Sequence, residues 1–142
     1  MTGDAPNIYV TRVRVHQTDL NGTMYHGAYL DIFDDARIET FRRLGYTYAR
    51  MISNAWGAII RRVDCEYFVP AMMDDLLSVT VRVPALTRAT MTFRYECRRE
   101  EETLALGHAV FAFLSDRGRA IRVPPDLRQV VEDHADLLLI PT

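Results

Sequence analysis

Hydrophobic and polar residues alternate along most of this chain, and one long stretch departs from the alternation. Residues 8–16 follow a period of two, which is the pattern of a strand with one buried face. Between residues 24 and 44 the apolar positions recur every three or four residues, which predicts a long helix that ends at Gly45. The predicted apolar face of this helix consists of Tyr29, Ile32, Phe33, Ala36, Thr40 and Leu44. The chain is therefore expected to open with one strand and one long helix.

After the long helix and a short helical segment over 47–54, the pattern returns to strands. The predicted strands span 57–69, 76–83, 88–99 and 104–114, with Pro70 and Pro84 ending the first two. In the third strand the predicted buried face carries Ala89, Met91, Phe93, Tyr95 and Cys97. A short segment over 119–123 precedes a last amphipathic helix that Pro124 and Pro125 open and that runs to about Asp136.

This order of elements predicts an α+β fold in which an antiparallel sheet packs on one long helix. One helix covers only part of one sheet face, so the other face or an edge needs a partner, and we expect a homodimer. No repeat, low-complexity stretch or linker divides the chain, so residues 1–142 are expected to form one domain.

Composition and charge exclude several classes of protein. A net charge of −2 gives no electrostatic case for nucleic-acid binding or for a membrane surface. The N-terminus resembles no signal peptide, and no apolar run approaches the roughly 18 residues of a membrane span, so a cytoplasmic protein is expected. Cys65 and Cys97 lie far apart without histidines at ligand spacing, so neither a metal site nor a disulfide is expected.

The densest group of reactive side chains lies in residues 18–30, where a loop turns into the long helix. A helix N-terminus presents backbone N–H groups without intrahelical partners and a partial positive charge, which suits a developing oxyanion. Gly22 gives the loop a backbone conformation that other residues resist. Asp19 would then lie beside a bound carbonyl, as a nucleophile or as a general base acting on water.

Each of these residues also has an ordinary structural interpretation. An aspartate just before a helix is most often a cap or a loop residue, and a histidine there is most often a surface residue. Arg37 is by default half of an ion pair with Asp34 or Asp35. Tyr25, Tyr29 and Phe33 are by default core residues. Spacing alone leaves an unassigned α+β domain.

A family resemblance changes this balance. Asp19, Gly22, Tyr25, His26 and Tyr29 form the pattern D-x-x-G-x-x-Y-H-x-x-Y, and Ala36 and Arg37 follow on the helix. This pattern resembles the signature of the 4-hydroxybenzoyl-CoA thioesterase family. It is most similar to the bacterial branch of short acyl-CoA thioesterases encoded with the Tol–Pal system. The resemblance runs from about Thr11 to Phe113.

The resemblance implies a hotdog fold, in which the sheet wraps the long helix, and an acyl-CoA thioesterase that needs no metal or redox cofactor. It further implies dimers or tetramers with active sites at the dimer interface. Asp19 takes the position of the family's catalytic carboxylate. The backbone N–H of His26 takes the position of the group that polarises the thioester carbonyl. The candidate catalytic residues are therefore Asp19, His26 and Tyr25. The candidate substrate-binding residues are Gly22, Tyr29, Arg37 and Arg88. The candidates for binding the CoA phosphates are four arginines, Arg61, Arg62, Arg88 and Arg128.

Alternatives remain open at this point. Thr23–Met24 and Met72–Met73–Asp74 depart from the family pattern and leave the identity of the acyl group undetermined. A related branch, which releases enediyne polyketides, has Asn at the carboxylate position and uses an Arg eighteen residues further on. Asp19 and Arg37 have that separation, but the carboxylate is present, which favours the acyl-CoA branch. An acyl or polyketidyl carrier-protein thioesterase and a non-catalytic acyl-CoA-binding module are the alternatives. A hydratase is disfavoured by the seven-residue step from Asp19 to His26.

Overall fold

A computed structural model describes residues 5–53 and 56–139, without the side chains of residues 52, 53 and 56. The strands are β1 (Ile8–Arg12), β2 (Trp56–Tyr67), β3 (Leu76–Leu86), β4 (Thr90–Arg99), β5 (Glu102–Ser115) and β6 (Ala120–Ile121). The α-helices are α1 (Ala28–Arg43), α2 (Tyr48–Ser53), α3 (Pro125–Asp133) and α4 (Ala135–Leu138), and Val15–Gln17 form one 3₁₀ turn. The α+β class predicted from the order of elements is confirmed.

All strand pairs are antiparallel, and the sheet order is β1-β3-β4-β5-β2, with β6 paired to β5. Strands β3, β4 and β5 follow one another along the chain and form the centre of the sheet. The strand that precedes them, β2, crosses to the far side and pairs with β5. Among the described strands, β1 and β2 therefore form the two edges of the sheet.

Helix α1 packs on one face of the sheet through the residues that the three- and four-residue spacing predicted. Phe33 is buried and stacks on Tyr95 of β4, with ring centroids 4.8 Å apart. On β5, Gly107 leaves room for the same ring, because a Cβ at this position would lie 2.5 Å from Cε2 of Phe33. The absence of a side chain at this strand position allows close approach of the helix.

Two boundaries at the start of the chain differ from the prediction. The predicted strand over 8–16 ends at Arg12, because the chain then turns through Val15–Gln17. The helix begins at Ala28 rather than at residue 24, because the N–H of Met24 donates to Ala71 O (2.7 Å). At its other end the helix stops before Gly45. This residue has a φ of 89°, the left-handed conformation that is typical of a glycine after a helix C-terminus.

The end predicted for β3 also needs correction. Pro84 does not end this strand, since it continues to Leu86 across a register shift between Arg82 and Ala85. The pairing of β3 with β1 stops at Thr80, so Pro84 interrupts no bond on that side.

Ala89 is exposed in the turn before β4 rather than buried. The last helix divides at His134, whose ψ of 36° leaves the helical conformation, into α3 and α4. The end of the predicted segment 47–54 lies outside the described residues. Over the described ranges, no helix combines the length and the apolar character that crossing a membrane requires.

Candidate active site

Asp19 begins a tight hairpin that precedes α1. Thr18 and Met24 pair across it, the N–H of Asp19 donates to Thr23 O (2.9 Å), and the N–H of Gly22 donates to Asp19 O (3.1 Å). Gly22 has a φ of 76°, in the left-handed region that side chains resist. The turn therefore depends on glycine at this position, as the sequence predicted.

The carboxylate of Asp19 is exposed and is held by its own hairpin. Oδ1 accepts the N–H of Asn21 (2.9 Å), and the hydroxyl of Thr23 lies 3.2 Å from each carboxylate oxygen. The residue is not the N-cap of α1, a position that Gly27 occupies. Asp19 is thus an oriented loop carboxylate with lone pairs left for a water molecule or a substrate.

Three backbone contacts fix the hairpin relative to the start of α1. Tyr25 N–H donates to Gln17 O (2.7 Å), Met24 N–H donates to Ala71 O, and Thr23 pairs with Met72. The hairpin, the first turn of the helix and the segment before β3 are therefore one connected unit.

The backbone at the start of α1 offers N–H donors. Within the described part of the chain, the N–H groups of His26 and Gly27 have no acceptor. The carbonyl of His26 accepts a hydrogen bond from the hydroxyl of Tyr67 (2.8 Å), which fixes the peptide between His26 and Gly27. These are donors of the kind that stabilise an oxyanion at a helix N-terminus.

The side chains of Tyr25 and His26 are both exposed, and their ring centroids lie 4.2 Å apart. Tyr25 is therefore not a core residue, in contrast to Tyr29 and Phe33. Its ring lies over Gly27, where a Cβ would come within 2.7 Å of it. The two aromatic rings border the free N–H groups.

Tyr67 is a residue of this unit that the sequence analysis missed. Its ring meets the buried ring of Tyr29 edge-on at 5.1 Å, and the Tyr29 hydroxyl accepts the N–H of Ala71 (3.2 Å). Burial raises the pKa of Tyr67 to about 12, so its hydroxyl stays protonated and can donate. Only its position in a strand was visible in the sequence, because its contact with the helix start joins residues far apart in the chain.

Arg37 lies elsewhere on α1, nine residues beyond its first residue and so about 14 Å along the axis at 1.5 Å per residue. The predicted ion pair with Asp34 is confirmed at 2.7 Å, and the same nitrogen, Nη1, lies 3.2 Å from the hydroxyl of Tyr95. Burial opposes the charge, but Tyr95 and Asp34 raise the pKa of Arg37 above its ordinary value, so the guanidinium is charged.

Arg88 is not brought to Asp19 within this chain. It lies in the exposed turn after β3, whereas the Asp19 hairpin contacts Met72, which precedes that strand. The eleven residues of β3 separate the two. Asp19, Gly22, Tyr25, His26 and Tyr29 share one region, while Arg37 and Arg88 lie in two others.

A sequence profile described as the Thioesterase-like superfamily matches residues 13–131, a range that includes every candidate site residue. The chain belongs to this superfamily. Two curated relatives support the assignment. A putative esterase of Aquifex aeolicus is 29% identical over 128 residues, covering 90% of this chain and 99% of the relative. The acyl-CoA thioesterase YbgC of Haemophilus influenzae is 34% identical over 102 residues, covering 71% of this chain and 74% of the relative.

A solved structure has the same fold as this chain. The crystal structure of a hypothetical protein from Aquifex aeolicus matches with a TM-score of 0.83 at 28% identity, over 87% of this chain and 97% of that one. The predicted hotdog fold is confirmed.

Proposed function

We propose that this protein hydrolyses acyl-CoA thioesters to a free acid and CoA. The observation that carries the proposal is the pair of free N–H groups at the start of α1, connected to the hairpin that holds Asp19. Membership of the superfamily and the likeness to an acyl-CoA thioesterase support it. Within the superfamily we assign the chain to the 4-hydroxybenzoyl-CoA thioesterase family, and in it to the bacterial branch of short acyl-CoA thioesterases.

In the proposed reaction the thioester oxygen accepts the N–H of His26, which stabilises the negative charge that forms when the carbonyl carbon is attacked. Asp19 either attacks that carbon directly or removes a proton from an attacking water. The carbon–sulfur bond then breaks, and the CoA sulfur leaves with the electron pair and takes up a proton. On the direct route this leaves an anhydride between the acyl group and Asp19, which water hydrolyses to the free acid and the carboxylate. Both routes use the same oriented carboxylate.

The other site residues have supporting roles in this proposal. Gly22 allows the turn that presents Asp19, and the exposed ring of Tyr25 borders the thioester position. Tyr29 holds the N–H of Ala71, whose carbonyl in turn holds the hairpin at Met24. The exposed Arg88 would serve the CoA phosphates only from a second copy of the chain.

We further propose that the protein forms a homodimer, or a tetramer of two dimers, through β2. This edge strand exposes the large apolar side chains of Ile59, Ile60, Val63 and Tyr67. Tyr67, at one end of β2, contacts the start of α1, and Gly57, at the other end, lines the same pocket as Phe41 in the far half of α1. Antiparallel pairing of two copies of β2 would bring the helix start of one copy beside the far half of α1 in the other.

Replacement of Asp19 tests the catalytic proposal. Asp19→Ala and Asp19→Asn are expected to lower kcat by about 10²- to 10⁴-fold, measured as thiol release from acyl-CoAs of several chain lengths. Asp19→Asn keeps an acceptor for the N–H of Asn21 and should keep the thermal stability of the wild type. Asp19→Ala loses only exposed hydrogen bonds and should lower it slightly at most. Asp116→Asn, in the exposed turn after β5, is the matched control and should keep full activity.

Near-normal rates for Asp19→Ala would refute the catalytic role. A side-by-side assay with acyl carrier protein thioesters separates the carrier-protein alternative, which predicts preference for the carrier. Tight acyl-CoA binding without thiol release from any chain length would indicate the non-catalytic module.

A further inference from the structure

A cavity of about 480 Å³ lies at the far half of α1, away from the Asp19 hairpin. Parts of α1, α2, α3, β4, β5 and the start of β2 line it, one side is open to solvent, and six of the described lining residues are aromatic. Its volume is within the range of small-molecule pockets. The described residues that shape its inner wall include Phe41, Tyr46, Phe93, Phe111, Phe113 and Arg37.

Arg37 is the only charged side chain among the described residues that line this cavity. It is 16% exposed, and its guanidinium carbon lies 4.6 Å from the ring centroid of Phe111. Its known partners, Asp34 and Tyr95, both contact Nη1. Among the described residues, Nε and Nη2 have no acceptor.

The edge of the Arg37 guanidinium formed by Nε and Nη2 favours one kind of ligand. The N–H groups of Nε and Nη2 point side by side, and this pair matches the two oxygens of a carboxylate. Buried donors without acceptors are unfavourable, so a ligand that supplies these oxygens is stabilised. An aromatic cavity with one such edge is suited to an apolar chain that ends in a carboxylate.

An apolar strip connects this cavity to the start of α1. The helix-facing row of β5 (Ala105, Gly107, Ala109 and Phe111) pairs with Tyr67, Cys65, Val63 and Ile60 of β2, which therefore face the same side. Ile60, Val63 and Tyr67 are 48%, 45% and 47% exposed. The strip runs from Tyr67, which holds the His26 carbonyl, to Ala58 at the cavity wall.

We propose that the acyl group of the substrate lies along this strip, and that Arg37 binds a carboxylate at the far end of that group. The preferred substrates are then half-thioesters of dicarboxylic acids, of medium length because the helix start and Arg37 are about 14 Å apart along the axis. This inference rests on the proposed thioesterase function for its substrate, but the binding of a carboxylate in the cavity is measurable without catalysis.

Calorimetric titration of the full-length protein with decanoate and with decanol tests the cavity directly. The wild type should bind decanoate about 10- to 100-fold more tightly than decanol, the gain expected for a charged pair of hydrogen bonds. Arg37→Gln should reduce this ratio to about one. Ala58→Phe, at an exposed strand position that lines the cavity, should weaken the binding of both ligands.

Equal binding of the two ligands by the wild type would overturn the proposal without any variant. A preference for decanoate that survives in Arg37→Gln, or binding that Ala58→Phe leaves unchanged, would also overturn it.

Hydrolysis assays with two substrates test the proposal a second time. The wild type should have a higher kcat/KM for the CoA half-thioester of sebacic acid than for decanoyl-CoA, and Arg37→Gln should lose this preference. An equal loss on both substrates would contradict recognition of the far end. If the decanoate preference holds but no thioester is hydrolysed, the function proposed above fails while the cavity assignment stands.

Discussion

Asp19 acquires its proposed role from the residues around it rather than from its own position before a helix. The turn at Gly22 and the hydroxyl of Thr23 orient the carboxylate, and Tyr25 N–H ties the hairpin to the first turn of α1. The sequence pattern placed Asp19, Gly22 and His26 in one region. The family resemblance also pointed to the backbone N–H of His26 rather than to its imidazole. In the structure the imidazole is exposed, and among the described residues this N–H has no acceptor.

Tyr67 is predicted to position the oxyanion donors. Tyr67→Phe keeps the edge-on ring contact with Tyr29 and removes the hydrogen bond to the His26 carbonyl, together with the contact of the hydroxyl with the Cys65 thiol. We expect kcat to fall roughly tenfold, the equivalent of about one hydrogen bond, with little change in KM. Steady-state kinetics measure this split.

Tyr9→Phe is the control, because among the described residues the Tyr9 hydroxyl has no hydrogen-bond partner. A Tyr67→Phe variant with wild-type kcat, or with only its KM raised, would contradict the positioning role.

Gly22 and Gly118 form a matched pair for testing the Asp19 turn. Their φ values are 76° and 75°, and neither would meet an atom within 4 Å if a Cβ were added. Alanine at either position should cost about 1 kcal/mol of unfolding free energy, because both need a left-handed backbone. Only Gly22→Ala should also lower kcat/KM, since only its turn presents Asp19. Equal activities of the two variants would argue against this role for the turn.

At the scale of elements, the contact of α1 with the sheet depends on a strand position without a side chain. Gly107→Ala would set a Cβ 2.5 Å from the ring of Phe33 and 3.4 Å from the carbonyl oxygen of Asp64. The stacked pair of Phe33 and Tyr95 limits how far that ring can move. We expect a loss of about 1–3 kcal/mol in the free energy of unfolding, measured by chemical denaturation.

Gly57 in β2 is the comparison, because a Cβ there would meet nothing within 4 Å. Gly57→Ala should be neutral or slightly stabilising, as expected for a strand glycine replaced without contact. If both alanine variants have the same stability, close approach of helix and strand is not what requires glycine at position 107.

At the scale of the whole molecule, the two edges of the sheet differ in a way that bears on assembly. β1 is short, whereas β2 has twelve residues and exposes several large apolar side chains. Long apolar edges attract further strands unless they are covered. The proposed dimer pairs the backbone edge of β2, leaves the helix side of this strand open to the acyl group, and leaves the outer edge of β1 unpaired.

Ile59→Glu is expected to weaken the dimer, because it replaces an exposed apolar side chain of β2 with a charge that association would have to desolvate. Sedimentation at several concentrations should show a shift toward monomer. Thr11→Glu places the same charge on β1 and should leave the mass unchanged. Dissociation by both variants, or by neither, would exclude β2 as the specific interface.

The sequence by itself determined the type of the long elements and the grouping of Asp19, Gly22, Tyr25, His26 and Tyr29 in one region. The apolar period of α1 predicted Tyr29, Ile32, Phe33, Ala36 and Thr40 as buried, and all five are. This succeeded because side-chain direction in a helix or strand follows from local spacing. The ends of elements were less accurate, since β3 passes Pro84 and α1 starts after the pairing of Met24 with Ala71.

Only the tertiary structure decided which elements meet. That β2 crosses the sheet to pair with β5, that Tyr67 reaches the carbonyl of His26, and that Arg37 lines a cavity are contacts between residues far apart in sequence. A period of two or of 3.6 specifies a face but not its partner, because the pairing of strands is set by the packing of the whole sheet. The grouping of reactive side chains in residues 18–30 was therefore visible in the sequence, whereas the strip and the cavity that are proposed to select a substrate were not.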